Sequence, residues 1–166
     1  MNKRERISDF VRSLEPAAEG PSQDYYAAFF QLWNAQKYYE AHDVLEQLWL
    51  VEKNPELAHF YQALIQAAGA FVHLQKNFEQ PLHAKHGRRL RPATRLFALA
   101  LRNLENLSDE FQGLELIAFR ELLTHWCDEI VAERFEKNPW SPESAPKLSL
   151  QPTGSIARST KSRQRR

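Results

Sequence analysis

Between residues 57 and 75 the chain reads LAHFYQALIQAAGAFVHLQ, a stretch without a single Asp, Glu, Lys or Arg. Asn54 followed by Pro55 supplies a cap and a first turn, so the stretch is expected to be a helix running to about Gln75. A surface helix carries a charged face, and an uncharged helix of this length has to be enclosed by other elements. At about 100° per residue, Phe60, Leu64, Ala68 and Phe71 share one side. His59, Gln62, Gln66, Gly69 and His73 share the opposite side, with Ala70 beside them. The expected fold is built around this segment: all-α, a compact bundle of four to five helices with this uncharged third helix at its centre.

Periodicity places the other elements. Residues 2–14 read as a short helix with Ile7, Phe10, Val11 and Leu14 on one side, broken by PAAEGPSQ. The next helix carries Tyr25, Phe29, Leu32 and Trp33, and after the turn NAQK a second runs over residues 38–51. Pro81 opens a fourth, to about Asn103, in which Pro92 either introduces a kink or marks the start of the regular part. Residues 108–113 read as a loop and 114–136 as a fifth helix, and no alternating strand pattern of useful length occurs. Three regions are expected: an N-terminal helix and linker (1–21), a helical bundle domain (22–137) and a disordered basic tail (138–166). The tail is rich in Pro and Ser and poor in large apolar residues. It carries six bases and one acid, a charge of +5 against −4 for residues 1–137.

Composition narrows the class. With 166 residues, 43% hydrophobic and 26% charged, the chain fits one globular domain. Cys127 is the single cysteine and forms no internal disulfide. No apolar run approaches the roughly 20 residues of a membrane span. No secretory signal is visible either, so no membrane association and a cytoplasmic location are the expectation.

The segment YYEAHDVLEQLW concentrates chemistry on the helix of residues 38–51. His42, Glu46 and Trp49 fall within about 60° of one another, with Asp43 beside Glu46 and Glu40 further round. A short turn makes this helix an antiparallel neighbour of the uncharged one. His42 and Glu46 facing Gln62, Gln66 and His73 would then join in one network. Three readings stay open. The groups form internal hydrogen bonds that fix helix register; or Glu40, His42, Asp43, Glu46, Gln62, Gln66 and His73 line a pocket for a small ligand; or His42, Glu46 and His73 hold a metal. Imidazole and carboxylate suit Zn²⁺ or Fe²⁺. The lone Glu-x-x-His of ELAH falls short of a di-iron set, and no HExxH, Gly-rich phosphate loop, GxSxG or paired CxxC occurs. Whether the chain is an enzyme stays open.

Residues 80–104, QPLHAKHGRRLRPATRLFALALRNL, contain no acid. Arg88, Arg91, Arg95 and Arg102 fall within roughly 60° on one face, opposite Leu90, Phe97, Leu101 and Leu104. Such a face can hold an anion, whether an acidic protein or an RNA backbone, and the basic tail could extend it. The plainer alternative pairs it with Glu115, Glu121 or Glu129 of the last helix. His83 and His86 of HAKH are expected to be exposed polar residues.

YYEAHDVLEQLW followed by FYQALIQAAGAFVHLQKN resembles the bacterial family called domain of unknown function 309. Its pattern is an EAHE-x-L-E-x-x-W helix followed by a QGLIQ-x-A-A-A-x-x-H helix. Glu40, Ala41, His42, Leu45, Glu46 and Trp49 match the first, and Gln62, Leu64, Ile65, Gln66, Ala68, Ala70 and His73 the second. DEFQGLEL is similar to the family's Gly-Leu-Asp entry to the last helix, so the likeness runs from about Asp24 to Glu136. Asp43, Ala63 and Gly69 depart from the pattern, and Gln36 stands where Gly is common in the turn. The resemblance implies a compact helical bundle with His42, Glu46, Gln62, Gln66 and His73 as its motif residues, and implies no activity.

Overall fold

The computed structural model describes residues 2–13 and 21–151. Helix α1 (Lys3–Ser13) buries Ile7 and Val11, and α2 (Pro21–Asn34) supplies Phe29, Leu32 and Trp33 to the core. After α2 the chain turns through Gln36 at φ 59°. Gln36 N–H donates to the Trp33 carbonyl at 2.9 Å, and Lys37 N–H to that of Leu32 at 2.8 Å. This is the left-handed helix stop that glycine usually fills. Gln36 is held there on both sides: its carbonyl accepts from Gln75 at 3.0 Å, and its side chain donates to the Pro142 carbonyl at 2.8 Å.

Helix α3 (Tyr38–Trp49) follows, and α4 (Pro55–Glu79) begins where expected. Asn54 Oδ1 accepts from Glu56 N–H at 3.0 Å and Leu57 N–H at 3.2 Å, so donors that no helical carbonyl can reach are satisfied. The uncharged helix is indeed the centre. Fully buried Phe71 has around its ring Trp33 of α2 (4.9 Å), Tyr38 of α3 (5.3 Å), Phe97 (5.3 Å) and Trp126 (5.3 Å). Ala63, Ala67 and Ala70 are fully buried as well, and on the opposite side, at Gly69, an added Cβ would lie 3.2 Å from Leu96 Cδ1. Small side chains there let the next helix approach closely.

That next helix is shorter than expected. Residues 80–85 form turns, 86–88 a single 3-10 turn, and α5 spans Leu90–Leu104. Pro92 lies in the first turn of α5, where its missing N–H costs no helical bond. Buried Asn77 ties the turns down by donating to the carbonyls of His86 (3.3 Å) and Gly87 (3.2 Å). A two-stranded hairpin, β1 (Glu110–Phe111) with β2 (Leu114–Glu115), spans the end of the expected loop at 108–113 and takes the first two residues of the expected fifth helix. Its turn residues Gln112 (φ 51°) and Gly113 (φ 77°) both have positive φ, the mirror-image turn that matches strand twist. Helix α6 (Leu116–Ala132) then packs on α5 and ends four residues earlier than the expected Glu136.

The tail boundary is corrected. Residues 138–151 lie across the bundle as an extended strap. Trp33 Nε1–H donates to the Pro146 carbonyl at 2.9 Å, and Asn34 exchanges two 2.8 Å bonds with the backbone of Leu148. Gln151 N–H reaches the Gly113 carbonyl at 2.7 Å, and Trp140 and Leu148 are buried. The strap contains one base, Lys147, and one acid, Glu143, so the +5 lies in residues 152–166, outside the described residues.

Candidate functional site

The single network expected between α3 and α4 is two separate clusters. On α3, His42 Nδ1 lies 3.2 Å from Asp43 Oδ1 and does not bond to Glu46. The same Asp43 oxygen accepts from Lys3 Nζ of α1 at 3.0 Å, and Glu46 Oε2 accepts from it at 3.1 Å. The bond to Asp43, against the opposing effect of partial burial, holds the Lys3 ammonium above its ordinary pKa. Tyr39 stacks beside the His42 ring at 6.3 Å. The donor atoms of His42, Asp43 and Glu46 lie within 4.8 Å of one another, a set able to take a divalent cation in place of the ammonium. Asp43 reaches both His42 and Lys3. Glu40 is exposed and is not part of this three-donor set.

The polar stripe of α4 faces α5. Asn103 donates to Gln66 Oε1 at 2.8 Å and its own Oδ1 accepts from His59 Nδ1 at 3.0 Å. Arg89 donates through Nη1 to His73 Nδ1 at 2.9 Å and through Nε to His86 Nδ1 at 2.7 Å. Gln62 is half-buried on the same stripe. The reason is angular. Gln75, which bonds the turn before α3, lies about 200° round the helix from His73, so the motif glutamines and His73 point away from α3. Burial first, then Arg89, Lys76 and Arg95, push His73 down to about 4, so its neutral ring accepts from Arg89. Next to a guanidinium and outside the three-donor group, His73 is not placed as a metal ligand beside His42 and Glu46. Among the described residues no buried side-chain nitrogen or oxygen lacks a hydrogen-bond partner.

The third cluster is basic. Arg88, Arg91, Arg95 and Arg102 are all exposed, and among the described residues none forms an ion pair with a carboxylate. The expected neutralisation by α6 does not occur; Glu129 pairs within its own helix, with His125 at 3.3 Å. Arg91 lies 4.1 Å over the ring of Phe135. A cleft of about 300 Å³ beside it is lined by Gly87, Arg88, Leu90, Arg91, Arg134 and Phe135. Arg134 and Phe135 escaped the sequence reading because they sat inside the expected fifth helix. Their positive φ values, 54° and 61°, leave no trace in residue type, since both positions favour Gly or Asn. His83 Nδ1 accepts from the backbone N–H groups of Lys85 (3.1 Å) and His86 (3.2 Å), an ordinary turn role.

Among the described residues no helix is long and apolar enough to cross a membrane. A family model described as Domain of unknown function (DUF309) matches residues 26–82. A protein of Aquifex aeolicus (strain VF5), itself described as an uncharacterized protein, is 29% identical over 107 residues. Those residues are 64% of this chain and 28% of that protein, so the chain spans little more than a quarter of its relative. No solved structure matches the chain. The family match covers most of α2, all of α3 and α4 and the start of the turns after them, so both motif segments fall within it: the chain resembles domain of unknown function 309 over residues 26–82, and α1 and the basic face of α5 lie outside that match.

Proposed function

We propose that the chain is a binding module for single-stranded RNA, which it engages by its sugar-phosphate backbone along the exposed face of α5. One observation carries this reading: Arg91, Arg95 and Arg102 on one side of α5, and Arg88 in the 3-10 turn before it, stand exposed without carboxylate partners among the described residues, although residues 1–137 carry an excess of acid. Surface charges left unpaired in such surroundings favour an external polyanion, and a row of guanidiniums suits the successive phosphates of a strand. Anisotropy titration of a labelled oligonucleotide tests it. With four phosphates neutralised, affinity falls roughly 50-fold between about 50 and 200 mM salt, and Arg95→Gln with Arg102→Gln makes the salt dependence shallower. Affinity indifferent to salt, or no binding at the low end, overturns the reading.

The α3 cluster favours a second role, a divalent cation held by His42, Asp43 and Glu46 in competition with Lys3, because the three donors already converge within 4.8 Å. Removing a half-exposed ammonium competitor by Lys3→Met should tighten Zn²⁺ binding by roughly three- to tenfold in equilibrium dialysis. His42→Ala should abolish it. Equal Zn²⁺ uptake by all three proteins would dismiss this role.

A further inference from the structure

The cleft at the head of α5 has features that a backbone-binding face does not need, and this inference rests on the reading of α5 as an RNA-binding face. Three arginines, Arg88, Arg91 and Arg134, are among its lining residues, and no Asp or Glu is. The acid next in sequence, Glu133, pairs with Lys137 at 3.5 Å. The cleft sits at the N-terminal end of a 15-residue helix, where the helix dipole is positive. Arg89 at the cap makes no side-chain bond to that end, because a guanidinium has no acceptor to offer the free N–H groups; its Nε and Nη1 donate to His86 and His73.

The opposite wall comes from an unusual helix end. Arg134 N–H donates to the Val131 carbonyl at 3.0 Å and Phe135 N–H to that of Ile130 at 3.0 Å, the bonds of a left-handed stop. Glycine usually occupies this stop, yet here two consecutive large residues are left-handed, with φ 54° and 61°. Left-handed backbone at bulky residues is unfavourable and tends to mark functional segments. Its effect here is visible: Phe135 lies under Arg91 at 4.1 Å, which orients that guanidinium, and Arg134 lines the cleft.

We propose that this cleft holds the terminal phosphate of an RNA strand, a 5′-phosphate monoester, and that the strand then runs along Arg95 and Arg102. A terminal monoester carries −1.5 to −2 charges at neutral pH, roughly twice that of an internal diester, so a three-guanidinium cleft selects strand ends. Its volume of about 300 Å³ accommodates a phosphate with the sugar that bears it. From Arg91 the helix rises about 6 Å to Arg95 and about 10.5 Å more to Arg102, a line of single charges leading away from the cleft.

The test compares 3′-labelled single-stranded RNA of one sequence bearing either a 5′-phosphate or a 5′-hydroxyl, titrated into the full chain by anisotropy. The phosphorylated strand should bind about tenfold tighter. Arg134→Gln should bring it to the affinity of the hydroxyl strand; if that variant fails to fold, Arg88→Gln carries the same expectation. A parallel calorimetric titration with adenosine 5′-monophosphate and with adenosine separates the two layers of the argument. Equal affinity for both strands overturns the end site and leaves the RNA-binding face standing. Monophosphate binding lost in Arg134→Gln, without any strand binding, overturns the RNA reading while keeping the cleft as a phosphate site. A phosphoserine peptide bound as tightly as the phosphorylated strand overturns the assignment to nucleic acid, and no binding of any probe overturns both.

Discussion

Trp140→Ala lowers the stability of the chain by about 3–5 kcal/mol, the range for emptying a large buried aromatic site. Trp140 is 2% exposed, in a segment whose Pro and Ser content suggests a free tail. Its ring meets Tyr38 edge-on at 6.1 Å and Phe78 at 5.4 Å, and its Nε1–H donates to the Tyr38 hydroxyl at 3.2 Å. Burial pushes the Tyr38 phenol up to about 12, so the hydroxyl stays protonated and loses a close partner when the indole goes. The substitution also loosens the strap next to Asn138, which donates to the Leu74 carbonyl at 2.7 Å, while Asn34, Gln36 and Trp33 grip it further on. At about 2–4 °C per kcal/mol for a chain of this size, the melting temperature should fall by roughly 10 °C. A melt displaced by less than about 2 °C would mean that the strap contributes little to the folded state.

The strap also shows where sequence reading stops. Helices α3 and α4 were legible because apolar residues recur with the helical period and Asn54–Pro55 marks a start. Residues 138–151 have no period. They are held by single residues, Trp140 and Leu148, and by side chains of α2 bonding to their backbone, which composition does not display. In hindsight a tryptophan in a proline-rich segment was the available signal. The site was half legible for a different reason. Periodicity correctly grouped Gln66 and His73 on one face of α4 and His42 with Glu46 on α3. It could not say which neighbour each face meets, and the close approach of α5 at Gly69 gave the polar stripe to Asn103 and Arg89 instead. Lys3 was missed as a partner because it is distant in sequence from α3 and lies on a helix read only for its apolar side. The arginine face, by contrast, was read from spacing alone, and the structure adds that its charges lack internal carboxylate partners among the described residues.

His73 should make the fold acid-sensitive in a defined window. In the folded chain its pKa is held down to about 4, against an ordinary value of 6.5, by burial and then by Arg89, Lys76 and Arg95. A lowered value means that the folded state prefers the neutral ring, whose Nδ1 accepts from Arg89 at 2.9 Å. Between pH 6.5 and about 4 the unfolded chain therefore binds the additional proton. The stabilisation is complete above the ordinary value and is lost as pH falls toward the folded one. Because the ring is only partly buried, solvent screening reduces the effect, and the loss is on the order of 1–2 kcal/mol. His73→Gln keeps an acceptor for Arg89 but cannot titrate. Urea unfolding of parent and variant at about pH 7 and pH 4.5 isolates the contribution, since the carboxylates common to both proteins cancel in the difference. The parent should lose about 1 kcal/mol more than the variant over that interval. If the two lose stability in parallel, the imidazole is not the acceptor that holds Arg89 at the junction of α4 and α5, and the Arg89 link between His73 and His86 does not secure the head of α5.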